Sequence, residues 1–250
     1  MTVATRRETP LTEDRFLGGR VVLRQGADGY RAGMDAALLA AACGAKPGQR
    51  VIEAGCGAGG ALCQIGVRRP GVHLFGLERD PATAALASEN LGLNGLSGEI
   101  VAGDVAAGFA ALDRPAFDWA VCNPPFFDDP GALRAPAEAK RGAWMADDGL
   151  QVWLDFLSLA VRDGGRVLII HRADRLADIL QGWSRRCGSF AIRPIQPFAD
   201  KPAKRVLVRA IRGGRAPLEL LPALVLHDRS GAKHAPEADA ILKGEAALEV

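Results

Sequence analysis

The chain has 250 residues, 48% of them hydrophobic and 24% charged, enough apolar material for one sizeable core and too much for a disordered or fibrous protein. Its 31 Lys+Arg against 29 Asp+Glu leave a formal charge of +2, which excludes a protein that coats nucleic acid by bulk charge and confines any such role to a local patch. The cysteines Cys43, Cys56, Cys63, Cys122 and Cys187 form no CxxC pair, and His73, His171, His227 and His234 are scattered. A disulfide scaffold and a metal site both lack sequence support, so the expectation is a metal-independent protein of a reducing compartment.

The first thirty residues carry Arg6, Arg7, Glu8, Glu13, Asp14 and Arg15 with no apolar stretch between them, and the longest apolar run, Ala36 to Cys43, is too short for a bilayer. These features predict a cytoplasmic chain with no membrane partner. Arg20 to Gln25 reads as an edge strand, 26–33 as a loop, and Met34 to Ala42 as a helix ending before Pro47-Gly48. From residue 50 onward, β-branched runs alternate with alanine- and leucine-rich helical stretches. Strands are predicted at Arg50 to Ala54, His73 to Leu77, Gly98 to Gly103, Asp118 to Cys122, Arg166 to His171, Phe190 to Ile195 and Arg205 to Ile211. Helices are predicted at Gly60 to Val67, Pro81 to Leu91, Leu150 to Arg162 and Asp174 to Cys187, with Asp80-Pro81 as a start signal and Gly92 and Gly164 as stops.

This alternation predicts an α/β fold with a seven-stranded, mostly parallel sheet. The last two strands are joined by Pro197 to Ala203, with no room for a crossover helix, so they are expected to form a terminal antiparallel hairpin. Leu224 to Leu226 can add one more edge strand. Three regions are expected: 1–48, an edge strand, loop and helix closing the site; 49–215, the core; and 216–250, an extension packed on the same domain.

Within Val51-Ile52-Glu53-Ala54-Gly55-Cys56-Gly57-Ala58-Gly59-Gly60, glycines stand where a buried strand must turn sharply into a helix. Such turns at the carboxyl edge of a sheet bind nucleotides, and the loop alone leaves open which one, since Gly55, Gly57 and Gly60 also satisfy GxGxxG. The surrounding acids tip the balance. Glu53 suits a cationic ligand better than a pyrophosphate, Glu78 ends the next strand and can accept from both ribose hydroxyls, and Asp104 ends the third, within reach of an adenine amine. Acids at three successive strand ends favour S-adenosylmethionine, a cation, over an anionic dinucleotide.

Asn123-Pro124-Pro125-Phe126 follows the apolar strand Trp119 to Cys122 and so shares that carboxyl edge. The prolines fix the backbone and remove two donors, leaving the Asn123 side-chain oxygen and the Pro124 carbonyl as acceptors. Two acceptors aimed at the two N–H bonds of a conjugated amine favour its pyramidal form and return the lone pair to nitrogen for attack on a methyl group. Phe126 offers a face for base stacking.

In the order Glu53 to Gly59, Glu78, Asp104 and Asn123 to Phe126, the chain resembles class I S-adenosylmethionine-dependent methyltransferases of exocyclic and amide nitrogens, which have a Rossmann-like fold. Phe16-Leu17-Gly18-Gly19-Arg20, Gly29 through Leu39, Leu226-His227-Asp228 and Pro236-Glu237-Ala238 are similar to the terminal signatures of the tRNA (valine) adenine-N6 methyltransferase family. Gly26 and His234 depart from that pattern. The resemblance implies N6-methylation of an adenine beside the anticodon, with Asn123, Pro124 and Phe126 at the reacting amine. It also implies cofactor contacts from Glu53, Gly55, Gly57, Gly59, Glu78, Asp104 and Asn123, and closure of the cofactor site by Tyr30, Arg31 and Asp35. On the residues alone the acceptor can equally be a glutamine amide, a guanine amine or a small molecule, and a non-catalytic RNA-binding protein with a vestigial pocket is the rival from another class.

Between Ser184 and Arg215 the basic residues Arg185, Arg186, Arg193, Lys201, Lys204, Arg205, Arg209, Arg212 and Arg215 face the single acid Asp200, a candidate patch for tRNA phosphates. The 127–144 loop, with Asp128, Asp129, Arg134, Lys140, Arg141 and Trp144, is a candidate substrate lid, whereas Trp153 and Trp183 read as packing residues.

Overall fold

The computed structural model describes residues 10–27, 31–125 and 149–250. The predicted sheet forms from β3 (Arg50–Ala54), β4 (His73–Glu78), β5 (Gly98–Ala102), β6 (Phe117–Cys122), β7 (Val161–Arg172), β8 (Cys187–Gln196) and β9 (Arg205–Arg212). Their spatial order is β8-β9-β7-β6-β3-β4-β5, with β9 antiparallel to both neighbours and the other pairs parallel. Two short strands, β10 (Glu219–Leu220) and β11 (Leu224–Val225), add to β8 in parallel. The predicted terminal hairpin and the extra strand near 224 are both present.

Helices cover both faces of the sheet, so the strands are apolar on both sides. Val51, Val121, Leu168 and Leu207 point to one face, packing with α1 (Met34–Ala42) and α2 (Gly60–Arg68). Ile52, Ala120, Ile169 and Val208 point to the other, against α4 (Gly149–Ala160) and α5 (Leu176–Trp183). α3 (Pro81–Leu93) starts with Asp80 accepting from Thr83 N at 2.8 Å. α6 (Pro236–Lys243) buries Ala238 and Ile241 in the first core. Among the described residues no helix is long and apolar enough to cross a membrane.

Three expectations are corrected. The helix predicted over Asp174 to Cys187 ends at Trp183, and Cys187 instead opens β8 opposite Arg212. The helix predicted over Leu150 to Arg162 stops at Ala160, because Val161 pairs with Phe117 and opens β7 through an irregularity around Gly164, whose φ is +75°. The strand predicted at Arg20 to Gln25 is no edge of the main sheet. It is β2 (Val21–Gly26), paired antiparallel with β1 (Leu11–Phe16) in a separate hairpin.

That hairpin docks on α3 through two asparagines. Asn94 accepts from Val22 N at 2.8 Å and donates to Val22 O at 2.7 Å, while Asn90 accepts from Arg24 N and donates to Arg24 O, both at 2.9 Å. Each side-chain amide stands in for a neighbouring strand. The match is geometric: four residues of helix rise about 6 Å, and two residues of strand about 6.7 Å. The fully buried Asn90 also donates to Ala58 O at 2.8 Å, tying α3 and the hairpin to the glycine loop. Asn90→Ala strands the Arg24 backbone groups and the Ala58 carbonyl at once, so it is expected to cost about 3 kcal/mol. Urea unfolding checks this through a lower midpoint at unchanged slope, and a loss under about 1 kcal/mol contradicts it.

Candidate active site

The strand register aligns the predicted site. Cys122 pairs with Ala54, and Ala54 with Leu77, so the next residues, Asn123, Gly55 and Glu78, leave three adjacent strands in one row. Neighbouring members are separated by roughly one strand spacing, about 4.8 Å. Asn123 is half-buried and Pro124 buried, at the end of the strand that neighbours the one leading into the glycine loop.

The loop itself is backbone geometry. Gly55, Gly57 and Gly59 have φ of +66°, +55° and +83°, a region that L side chains rarely adopt. A Cβ on Gly55 would sit 2.8 Å from Cζ3 of Trp153, whereas a Cβ on Gly57 would project into open space. Ala32 lies against Gly60, which brings the 31–34 segment to the rim of the loop. Glu78 is anchored there: Oε2 accepts from Gly57 N at 3.0 Å and Oε1 from Asp80 N at 2.9 Å, each oxygen keeping capacity for a further donor.

Glu53 lies beneath the loop, 3% exposed, and its Oε2 has no hydrogen-bond partner among the described residues. Burial pushes its carboxyl well above the usual carboxylate range, against an opposing backbone hydrogen bond from Leu62 and with a smaller upward push from Glu78. An open cradle at Gly57 and an orphaned acid under it fit a ligand that is cationic and carries ribose hydroxyls, as S-adenosylmethionine is. Asp104 caps a 3-10 turn, accepting from Ala106 N at 2.9 Å, with Arg79 3.9 Å away, so only part of its carboxylate faces outward. Burial also drives the thiols in and around the loop upward, Cys63 of α2 to about 12 and Cys56 and Cys122 well above the ordinary value. They stay protonated and are poor nucleophiles.

The other predicted residues fall as follows. Asp35, in the first turn of α1, accepts from Arg205 Nε at 3.0 Å. Arg31 reaches Asp14 on the hairpin at 2.6 Å, and Gln25 holds the same carboxylate while accepting from Ala32 N. Tyr30, Phe126 and the 127–144 loop with Trp144 lie outside the described residues. Trp183 is fully buried, donating to Leu154 O at 3.0 Å. Trp153 packs as expected but also abuts Gly55. Sequence reasoning missed Asn90, Asn94, Gln25 and Asp14. The signal that could have found the first two is a pair of asparagines spaced i, i+4 at the end of an otherwise strong helix.

The predicted basic patch is divided. Arg205 pairs with Arg172 and Ile195 at the carboxyl edge, whereas Arg212 pairs with Cys187 at the opposite edge, a separation of roughly 23 Å along β9. Arg186 bonds Asp155 at 2.6 Å, Arg212 bonds Asp163 at 2.9 Å, and Arg193 donates to the carbonyls of Glu249 and Pro222. A basic run contiguous in sequence becomes two separate groups because β9 reverses direction.

Residues 31–137 match the family described as methyltransferase small domain. Over 83 residues, 33% of this chain, it is 36% identical to the ribosomal RNA small subunit methyltransferase C of Alcanivorax borkumensis, and the match covers 23% of that protein. A crystal structure of a predicted O-methyltransferase from Agrobacterium tumefaciens superposes with a TM-score of 0.71 at 25% identity, covering 86% of this chain and 99% of that one. A crystal structure of a putative class I S-adenosylmethionine-dependent methyltransferase from Listeria monocytogenes shares the fold at a TM-score of 0.56 and 14% identity, over 84% of this chain and 68% of that one.

Two predictions follow from the site's packing and charge. Gly55→Ala is expected to lose about 2–4 kcal/mol, from the left-handed backbone plus the clash with Trp153, with partial recovery on adding Trp153→Leu; thermal unfolding of the single and double variants checks it, and no loss in the single variant contradicts it. Because the folded chain holds the Glu53 proton above the ordinary value of 4.5, the stability linked to it is full below that value and is lost as the pH rises toward the raised one. Glu53→Gln should therefore gain on the parent protein as the pH rises from about 5 to about 8, measured by denaturant unfolding across that range; a difference independent of pH contradicts it.

Proposed function

We propose that this chain, a class I S-adenosylmethionine-dependent methyltransferase, transfers the methyl group to the N6 amine of an adenine in tRNA, beside the anticodon. The observation that carries the reading is the row formed by Asn123, Gly55 and Glu78 on adjacent strands, which supports reading Asn123 as an amine clamp beside a nucleoside cradle at the glycine loop and Glu78. An RNA acceptor is supported by the relative named for ribosomal RNA. The adenine-N6 assignment rests on the Asn123-Pro124-Pro125-Phe126 motif and on the resemblance at both ends of the chain.

In this reading Glu78 holds the ribose, Asp104 the adenine amine of the cofactor, and Gly55, Gly57 and Gly59 admit it against the backbone. Glu53 supplies negative charge once a cation lies above it. Region 1–48 closes the site through Tyr30, Arg31 and Asp35, 49–215 forms the catalytic core, 216–250 packs alongside, and the protein works in the cytoplasm. S-adenosylmethionine supplies a methyl group on a sulfonium sulfur. The chain's own part is to orient the acceptor: the Asn123 side-chain oxygen and the Pro124 carbonyl accept from the two amine N–H bonds, which localises the lone pair on nitrogen. Phe126 stacks on the target base, and an unpaired anticodon-loop adenine needs little energy to be presented this way.

The test uses cofactor labelled in the methyl group, incubated with total tRNA and with total protein. Label in tRNA is expected; label confined to protein or to small molecules overturns the assignment. Asn123→Ala is expected to lower turnover roughly 100-fold or more while calorimetry shows cofactor binding largely retained. Turnover within a few-fold of the parent protein would remove Asn123 from the chemistry.

A further inference from the structure

The carboxyl edge that bears the site continues along the sheet. β8 ends at Gln196, β9 begins opposite it, and β11 runs parallel to β8 with Val225 beside Gln196, so the 197–204 loop and the 226–235 segment leave the sheet together on that edge. They are bound to each other. Leu226 N donates to Gln196 O at 2.8 Å, His227 N to Pro197 O at 3.0 Å, and Arg229 pairs with Asp200 at 2.8 Å. Across the join the rings of Phe198, His227 and His234 form a cluster: the two imidazoles stack, 5.3 Å apart and inclined by 26°, and Phe198 packs tilted by 45° on His227 at 5.6 Å. His227 Nδ1 lies 2.7 Å from the Lys233 carbonyl oxygen, which fixes the middle ring.

The charges on this ledge do not cancel. Asp200 is taken up by Arg229, and Asp228 accepts from the Ser230 backbone and hydroxyl. Lys201, Lys204 and Lys233 are exposed and make no ion pair among the described residues. β8 stands three strand spacings from β6, which puts the ledge roughly 15 Å from Asn123, within the span of a folded RNA loop.

We propose that this ledge, a Phe198-His227-His234 ring cluster flanked by Lys201, Lys204 and Lys233, is a second contact for the RNA substrate, gripping the phosphates and stacking a base of the strand that flanks the methylated nucleotide. The inference rests on the reading that the acceptor is RNA. Lysines alone suit any polyanion. The stacked imidazoles of His227 and His234 set among them select for bases, whose flat faces can pack on such rings, and each lysine on a phosphate releases a counterion.

The test is the full chain carrying Lys201→Ala, Lys204→Ala and Lys233→Ala together, with His227→Ala as a separate variant. Methyl transfer to tRNA is measured beside filter binding of unmodified tRNA at several salt concentrations. For the triple variant, KM for tRNA is expected to rise about tenfold or more with KM for the cofactor unchanged, and the slope of log K against log salt to become shallower by about 2, near 0.7 for each lost phosphate contact. His227→Ala is expected to weaken RNA binding without changing the salt slope. Unchanged KM and slope in the triple variant overturn the ledge while leaving the methyltransferase reading standing. A parent protein that methylates no RNA overturns the substrate reading instead, and the ledge then stands or falls on whether the triple variant loses the salt slope. Competition by polyglutamate but not by tRNA marks a protein-binding surface and overturns it too.

Discussion

Parallel strands that end in step turn a list of residues into a site. Once Cys122, Ala54 and Leu77 pair in register, the residues that follow have no choice of position: an asparagine followed by two prolines, a left-handed glycine packed on Trp153, and a glutamate held by two backbone N–H groups lie side by side. A slip of one residue in any strand would invert its side chains between the two cores. The apolar alternation of Val51 with Ile52 and of Ala120 with Val121 therefore protects the site geometry as well as the fold. The chemistry of the edge is underwritten by the packing of the middle.

Around that row the chain adds supports that bear no charge. Asn90 links the helix after β4, the outer hairpin and the glycine loop through a single buried amide. Trp153 backs Gly55 from one side and Ala32 backs Gly60 from another. The loop is gripped from three elements distant in sequence, which keeps its left-handed glycines in place before any ligand arrives. Such preorganisation lowers the ordering that binding would otherwise demand. Glu53 sits at the bottom of the same construction, where dehydration makes it a reluctant anion until a positive charge approaches.

What the sequence made legible and what it hid divide along physical lines. The glycine loop, Glu78 and Asn123-Pro124-Pro125 stood out because each needs a residue type that few other environments demand, and their order along alternating strands and helices placed them on one edge. The seven strands were legible because β-branched runs buried on both faces have few other uses. β1 was hidden because Leu11–Phe16 alternates exposed with half-buried residues, and its pairing depends on a neighbouring strand that itself relies on asparagine side chains. Asp104 was read as a ligand contact, yet aspartate is equally suited to capping turns, and it does cap one here. The basic run misled because adjacency in sequence says nothing of which end of an antiparallel strand a residue occupies; Arg205 and Arg212 face opposite edges of the sheet.

A crystal structure with S-adenosylhomocysteine bound, the demethylated form of the donor, tests the central claim most directly. The account predicts the ribose hydroxyls on Glu78, the sulfur above the glycine loop, and the Asn123 side-chain oxygen and Pro124 carbonyl both turned to the space beside that sulfur where an acceptor nitrogen would stand. A ligand seated elsewhere, or an Asn123 amide turned away from the sulfur, would contradict it.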